Sequence, residues 1–202
     1  MLYRILLAAM VVVFAACGSG EDKPAVVVEP EKPLSSQNTA AFNASFEKIL
    51  TAYTSLKDAL VDYDTAKANA AALVLEQAAD SLKISEIKGD TTGTIQQVAK
   101  DFAGTIIGSC KGLVGETDLT KKKREFQMIS EAMYNLVRTV KYDQQVIYHQ
   151  VCPMAFNDDE EAAWISTSNK IVNPYLGSKH PKYKEGMLHC GEVKDSIDFR
   201  KQ

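Results

Sequence analysis

Phe42, Phe46, Ile49, Tyr53, Leu56 and Leu60 recur at three- and four-residue steps, the spacing that lines up apolar side chains on one face of an α-helix. Asn38 or Thr39 stands where that helix needs a cap. The pattern breaks near Tyr63, and Asp64 or Thr65 can cap a second, alanine-rich helix running to about Leu82, with Ala66, Ala70, Leu73 and Gln77 as its expected inward stripe. So short a link predicts an antiparallel pair. Gly89-Asp90-Thr91-Thr92-Gly93 reads as a turn. A third helix carries Ile95, Val98, Phe102 and Ile106, with Gly104, Gly108 and Gly112 sharing a face. Each glycine costs about 1 kcal/mol against alanine, so either a neighbouring helix approaches closely there or the helix frays near Gly112. Cys110 in this segment reads as a small buried hydrophobe. Thr117 or Asp118 opens a fourth helix with Phe126, Ile129, Met133, Leu136 (or Val137) and Val140 as its stripe, and Met128 and Met133 as core fillers.

After Tyr142 the period changes. Val146, Tyr148, Gln150 and Cys152 alternate with Ile147, His149 and Val151, the period of two of a strand. Asn157 to Glu161 is a solvated acidic turn without the spaced ligands of a Ca²⁺ loop, and Ala163-Trp164-Ile165 can return as a second strand. Asn173-Pro174-Tyr175-Leu176-Gly177 is turn chemistry, and Met187 to Val193 reads as a short extended segment. The expected fold is mainly α: an up-and-down four-helix bundle with a small C-terminal loop and β-hairpin appendage. Phe46, Tyr53, Leu60, Phe126, Met133 and Val140 should line one core.

The first residues change the picture of where this domain sits. Arg4 followed by the apolar run Ile5 to Phe14 reads as a leader too short to span a membrane as a mature helix. Phe14-Ala15-Ala16-Cys17-Gly18 resembles a bacterial lipobox, with Phe14 where leucine is usual. That resemblance implies a signal peptide over 1–16, cleavage before Cys17 and a lipid anchor on its sulfur. Residues 17–38 form a tether rich in proline and acidic residues. Glu21-Asp22 behind the cysteine weakly resemble a surface-export signal. An outer-membrane lipoprotein, facing the periplasm or the surface, is the expected location. Residues 39–202 fit a single domain, and 46% hydrophobic residues suffice for a core. The net charge of −3 argues against a nucleic-acid partner. Lys121-Lys122-Lys123-Arg124 is the one basic block, read as a solvated helix face.

Candidate chemistry concentrates in the last third. Cys152-Pro153-Met154-Ala155 is answered by Met187-Leu188-His189-Cys190-Gly191. Thiolate, thioether and imidazole are the ligand types that select Cu(I) or Zn(II). Cys152 and Cys190 would be the thiolates, Met154 and Met187 the thioethers, and His189 or His149 optional additions. The same cysteines can instead form a Cys152–Cys190 disulfide, the usual fate of paired thiols in an oxidising envelope. A redox pair lacks the C-x-x-C spacing, and C-x-x-C-H for haem is absent. His180 falls in a polar loop. No nucleophile elbow, phosphate loop or metalloprotease motif points to an enzyme.

Tyr53 to Leu60, the Lys-Arg-Glu-Phe126 helix, Cys152-Pro153-Met154-Ala155, Trp164-Ile165-Ser166, Asn173-Pro174-Tyr175 and Met187 to Gly191 together resemble one bacterial family, the domain of unknown function 3347. The resemblance runs from about Phe42 to Val193, and Ser178 to Gly186 looks like an insertion within it. Family members occur alone as envelope lipoproteins and fused to adaptor subunits of heavy-metal efflux pumps. The resemblance therefore implies soft-metal handling, with Cu(I) ahead of zinc and an efflux system as a partner. It tips a choice that residue types alone would give to the disulfide, without closing it.

Overall fold

The computed structural model describes residues 36–200. The expected signal peptide, the expected lipidation at Cys17 and the expected tether through residue 35 fall outside the described residues, as do residues 201 and 202. Ser36 to Asn38, grouped with the tether on sequence, already pack. Ser36 is buried, and the Asn38 amide donates to the carbonyl of Val140 at 2.7 Å.

Helix α1 spans Ala40–Val61, capped by the Thr39 hydroxyl, which accepts from the N–H of Phe42. Helix α2 spans Thr65–Asp80, capped by Asp64. A 3-10 turn at Ile84–Glu86 leads to α3, Thr94–Gly115. Helix α4 spans Leu119–Val140, capped by Asp118. The six side chains expected to line the core, from Phe46 to Val140, are all buried. Stacking ties the elements together: Phe46 lies 4.5 Å from Tyr142 and Tyr53 lies 5.3 Å from Phe126 between ring centroids.

The C-terminal part is a three-stranded antiparallel sheet in the order β2-β1-β3. Strand β1 is Ile147–Phe156, β2 is Glu160–Ser166 and β3 is Glu192–Ile197. Asn157 and Asp158 take φ of 51° and 68°, as the tight turn of a β-hairpin requires. The N–H of Ile165 donates to the Tyr53 hydroxyl at 3.1 Å, so α1 satisfies a backbone group of edge strand β2. The molecule is mainly helical with a small sheet at its end.

Several expectations are overturned. In α2 the buried face is Ala68, Ala72, Leu75 and Ala79, whereas Ala66, Ala70, Leu73 and Gln77 are exposed. Those stripes lie two residues apart, about 200° around a helix, and a run of alanines supports either phase. Met128 is 51% exposed rather than a core filler. Gly104 and Gly108 face open space, and Gly112 meets only the Glu125 carboxyl, while α3 continues to Gly115. A close approach from the neighbouring helix therefore holds at Gly112 alone, where an added Cβ would lie 2.7 Å from the Glu125 carboxyl carbon of α4, and no early fray occurs. Met187 to His189 forms a turn, and the strand begins only at Glu192.

The basic block is also not a solvated face. Lys122 and Lys123 are 2% and 5% exposed. Lys122 Nζ donates to Asn69 Oδ1 and to the Leu113 carbonyl, both at 2.7 Å. Lys123 Nζ donates to the Tyr175 carbonyl at 2.6 Å and lies 3.9 Å from the Tyr63 ring centroid. Burial pushes its amine down to about 7. Arg124 pairs with Glu160 and stacks on Phe156. Long stems let these residues bury and still place their heads on acceptors, which a count of charges cannot register.

Candidate functional site

Cys152 sits on the central strand β1, opposite Ala162 of β2, and is fully buried. Cys190 closes the turn after Met187, its N–H donating to the Met187 carbonyl at 3.0 Å. The two Sγ atoms lie 3.5 Å apart, with both residues as free thiols. Gly191 makes this approach possible. Its φ of +135° disfavours any side chain, and an added Cβ would lie 2.6 Å from the Val151 carbonyl oxygen and 3.1 Å from the Trp164 ring.

Burial first, and then the neighbouring Cys152, push the Cys190 thiol up to about 11. The resting Cys190 thiol is therefore protonated near neutral pH and would release its proton on taking a metal. The two methionines are half-buried and packed against the core. Met154 falls in the part of β1 where the pairing with β2 shifts register, between Cys152 and Phe156. Met187 opens the turn that ends at Cys190.

The histidines part company. His189 is exposed, and its Nδ1 lies 2.7 Å from the Ile171 carbonyl oxygen. A carbonyl only accepts, so Nδ1 carries the proton and, in the neutral ring, Nε2 keeps its lone pair. His149 lies three residues before Cys152, on the opposite face of β1. It stacks on Tyr134 at 4.1 Å, and burial lowers its pKa. His180 Nδ1 accepts from the N–H groups of Lys182 and Tyr183. Cys110 is buried in α3, its thiol pushed up to about 12 chiefly by burial. Among the described residues, no three His, Cys, Asp or Glu side chains cluster as a metal group.

Beside the thiols stand buried polar groups whose bonding partners the sequence does not reveal. Asn173 is fully buried. Its side-chain amide donates to the Cys190 carbonyl and its backbone N–H to the Leu188 carbonyl, each at 2.8 Å. Trp164 and Gln150, direct cross-strand partners, are both fully buried. Trp164 Nε1 and Gln150 Oε1 have no hydrogen-bond partner among the described residues. Asn-Pro-Tyr signalled a turn, but nothing in the sequence signals what lies across from it.

A family model described as "Protein of unknown function (DUF3347)" matches residues 49–145. That span runs from the middle of α1 to just beyond α4, supports the domain family over the helices, and stops short of Cys152. No curated protein and no solved structure matches the chain.

Proposed function

We propose that this protein is an envelope lipoprotein that binds a soft metal ion, Cu(I), through Cys152 and Cys190, with Met154 or Met187 assisting. The observation that carries this reading is the pair of free thiols with sulfurs 3.5 Å apart, joined from a buried strand and a glycine-backed turn. Two thiolates and a thioether suit a soft ion. A structural zinc site calls for four ligands in a tetrahedron, so zinc ranks behind copper. His189 is the imidazole adjoining the pair, through its Nε2. The lipobox-like Ala15-Ala16-Cys17 supports the membrane anchor, and the family resemblance supports service to a heavy-metal efflux system. We read the helices as an up-and-down bundle that carries this site without catalysing a reaction. The short α1–α2 link of residues 62–64 supports that topology.

The test is a competition titration of the reduced protein against a Cu(I) chelator, repeated on Cys152→Ser, Cys190→Ser and Met154→Leu. Loss of affinity in both cysteine variants and a smaller loss in Met154→Leu are expected. Equal affinity across wild type and both cysteine variants overturns the site. The anchor is tested by mass spectrometry of the membrane fraction: acylated Cys17 is expected, and an unmodified chain starting elsewhere contradicts it.

A second reading draws on the same 3.5 Å contact. In it Cys152 and Cys190 close as a structural disulfide in the oxidising envelope, and the protein is an interaction lipoprotein without metal. Thiol titration of metal-free protein taken from the envelope separates the two. Free thiols support the metal site, and a blocked pair supports the staple.

A further inference from the structure

The position of Cys190 is inherited from the helical body through one buried amide. Asn173 Oδ1 accepts from the N–H groups of Tyr175 at 2.8 Å and Leu176 at 3.0 Å, and the Asn173 carbonyl accepts from Gly177 at 2.9 Å. These bonds fix the turn over 173–177. The turn is fastened to the helical body at two points and to strand β2 at a third. Lys123 Nζ donates to the Tyr175 carbonyl at 2.6 Å, the Tyr63 hydroxyl to the Leu176 carbonyl at 2.9 Å, and the Tyr175 hydroxyl to the Ala163 carbonyl at 2.5 Å. From that fixed turn, Asn173 reaches the Leu188 and Cys190 carbonyls on either side of His189. On the far side, Gly191 already abuts Val151 and Trp164. Cys190 is thus held between a donor that pulls its backbone and a contact that stops it.

We propose that Asn173 is a positioning residue that sets the Cys152–Cys190 sulfur separation, and with it the effective concentration of one thiol toward the other. The proposal rests on reading Cys152 and Cys190 as a working thiol pair, but not on any metal. Asn173→Asp and Asn173→Ser each keep an oxygen for the Tyr175 and Leu176 N–H groups, and each lack the amide donor to Cys190. Asn173→Ser is uncharged, which covers the case in which a buried carboxylate prevents folding.

The experiment equilibrates the full chain with reduced and oxidised glutathione and measures the fraction of Cys152–Cys190 disulfide. In that exchange the two thiols give up two protons and two electrons, the Cys152–Cys190 S–S bond forms, and glutathione disulfide breaks into two glutathione thiols. Thermal melting is recorded alongside. Tyr175→Phe serves as the control, because it loses the bond to Ala163 and leaves every Asn173 bond in place. The expected result is an effective concentration about tenfold lower in the Asn173 variants, on the scale of losing an outer-shell partner. Tyr175→Phe should melt earlier than wild type yet keep the wild-type thiol equilibrium. An unchanged equilibrium in a folded Asn173 variant overturns the proposal, as does an equal loss in Tyr175→Phe. Failure of both Asn173 variants to fold also overturns it, by assigning Asn173 to the fold as a whole. Failure to bind Cu(I) leaves this result untouched, so the two proposals can fail separately.

Discussion

In the helical body the largest buried groups include Phe42, Phe46, Tyr53, Ile49, Leu56, Leu60 and Phe126, which lie on regularly spaced helix faces. In the sheet and the loop that covers it, the fully buried groups include the amides Gln150 and Asn173 and the indole of Trp164. Gln150 donates to the carbonyls of Ser168 and Lys170, and Asn173 joins positions 175, 176, 188 and 190. The body is held mainly by apolar contact that tolerates repacking, with the buried Lys122 and Tyr53–Ser130 bonds as its polar exceptions. The C-terminal region is held by directional bonds to particular carbonyls, whose loss leaves a buried polar group unpaired. A thiol pair needs the second kind of support, because its chemistry depends on spacing within a fraction of an ångström.

The largest expected effect lies where the regions meet. Phe126 stacks on Tyr53 of α1 and lies 5.8 Å from Tyr175 of the loop. Phe126→Ala should cost about 3–5 kcal/mol of unfolding free energy, measured by denaturant titration. A neutral variant would break the claim that one core serves both regions.

Helix α2 offers a sharper test of the apolar half. Leu75 is fully buried and Leu73 is 48% exposed. Leu75→Ala should cost about 2–5 kcal/mol, and Leu73→Ala no more than about 0.5 kcal/mol. The reverse order would restore the stripe expected from sequence and rotate the helix.

Much of the body was legible because its signal is local. Phe42 to Leu60 and Phe126 to Val140 repeat with the helical period, and the caps Thr39, Asp64 and Asp118 stand at the ends of those runs. Alanine-rich α2 failed as a guide because small side chains mark no preferred face. In the C-terminal region the strand alternation around Cys152 and the hairpin turn were visible, as was the Cys-Met pairing itself. Invisible were the partners of Lys123 and Asn173, which lie 52 and 17 residues away in the chain. The family match ends at residue 145 and so adds nothing across that gap.

Lys123 gives the smallest effect and the one that depends on pH. Its amine is held near 7 in the fold against an ordinary value of 10.5. Between these values the unfolded chain binds the proton and the folded chain does not, so stability rises with pH. Above about pH 9 the Cys190 thiol, held up to about 11, opposes this. It stays protonated in the fold while the unfolded thiol ionises, so its contribution is lost as pH climbs toward 11. Wild type should therefore gain about 1–2 kcal/mol between pH 7 and 9. Lys123→Met should show a flat profile over that window, read from denaturation midpoints. A wild-type slope that survives the substitution would place the titrating group elsewhere.

The thiol pair itself is tested most directly by copper K-edge absorption spectroscopy on the reduced protein loaded with one equivalent of Cu(I), alongside Cys190→Ser. A first shell dominated by sulfur is expected in the wild type, losing a sulfur scatterer in the variant. A shell of nitrogen and oxygen, or a sulfur shell unchanged by Cys190→Ser, would contradict it.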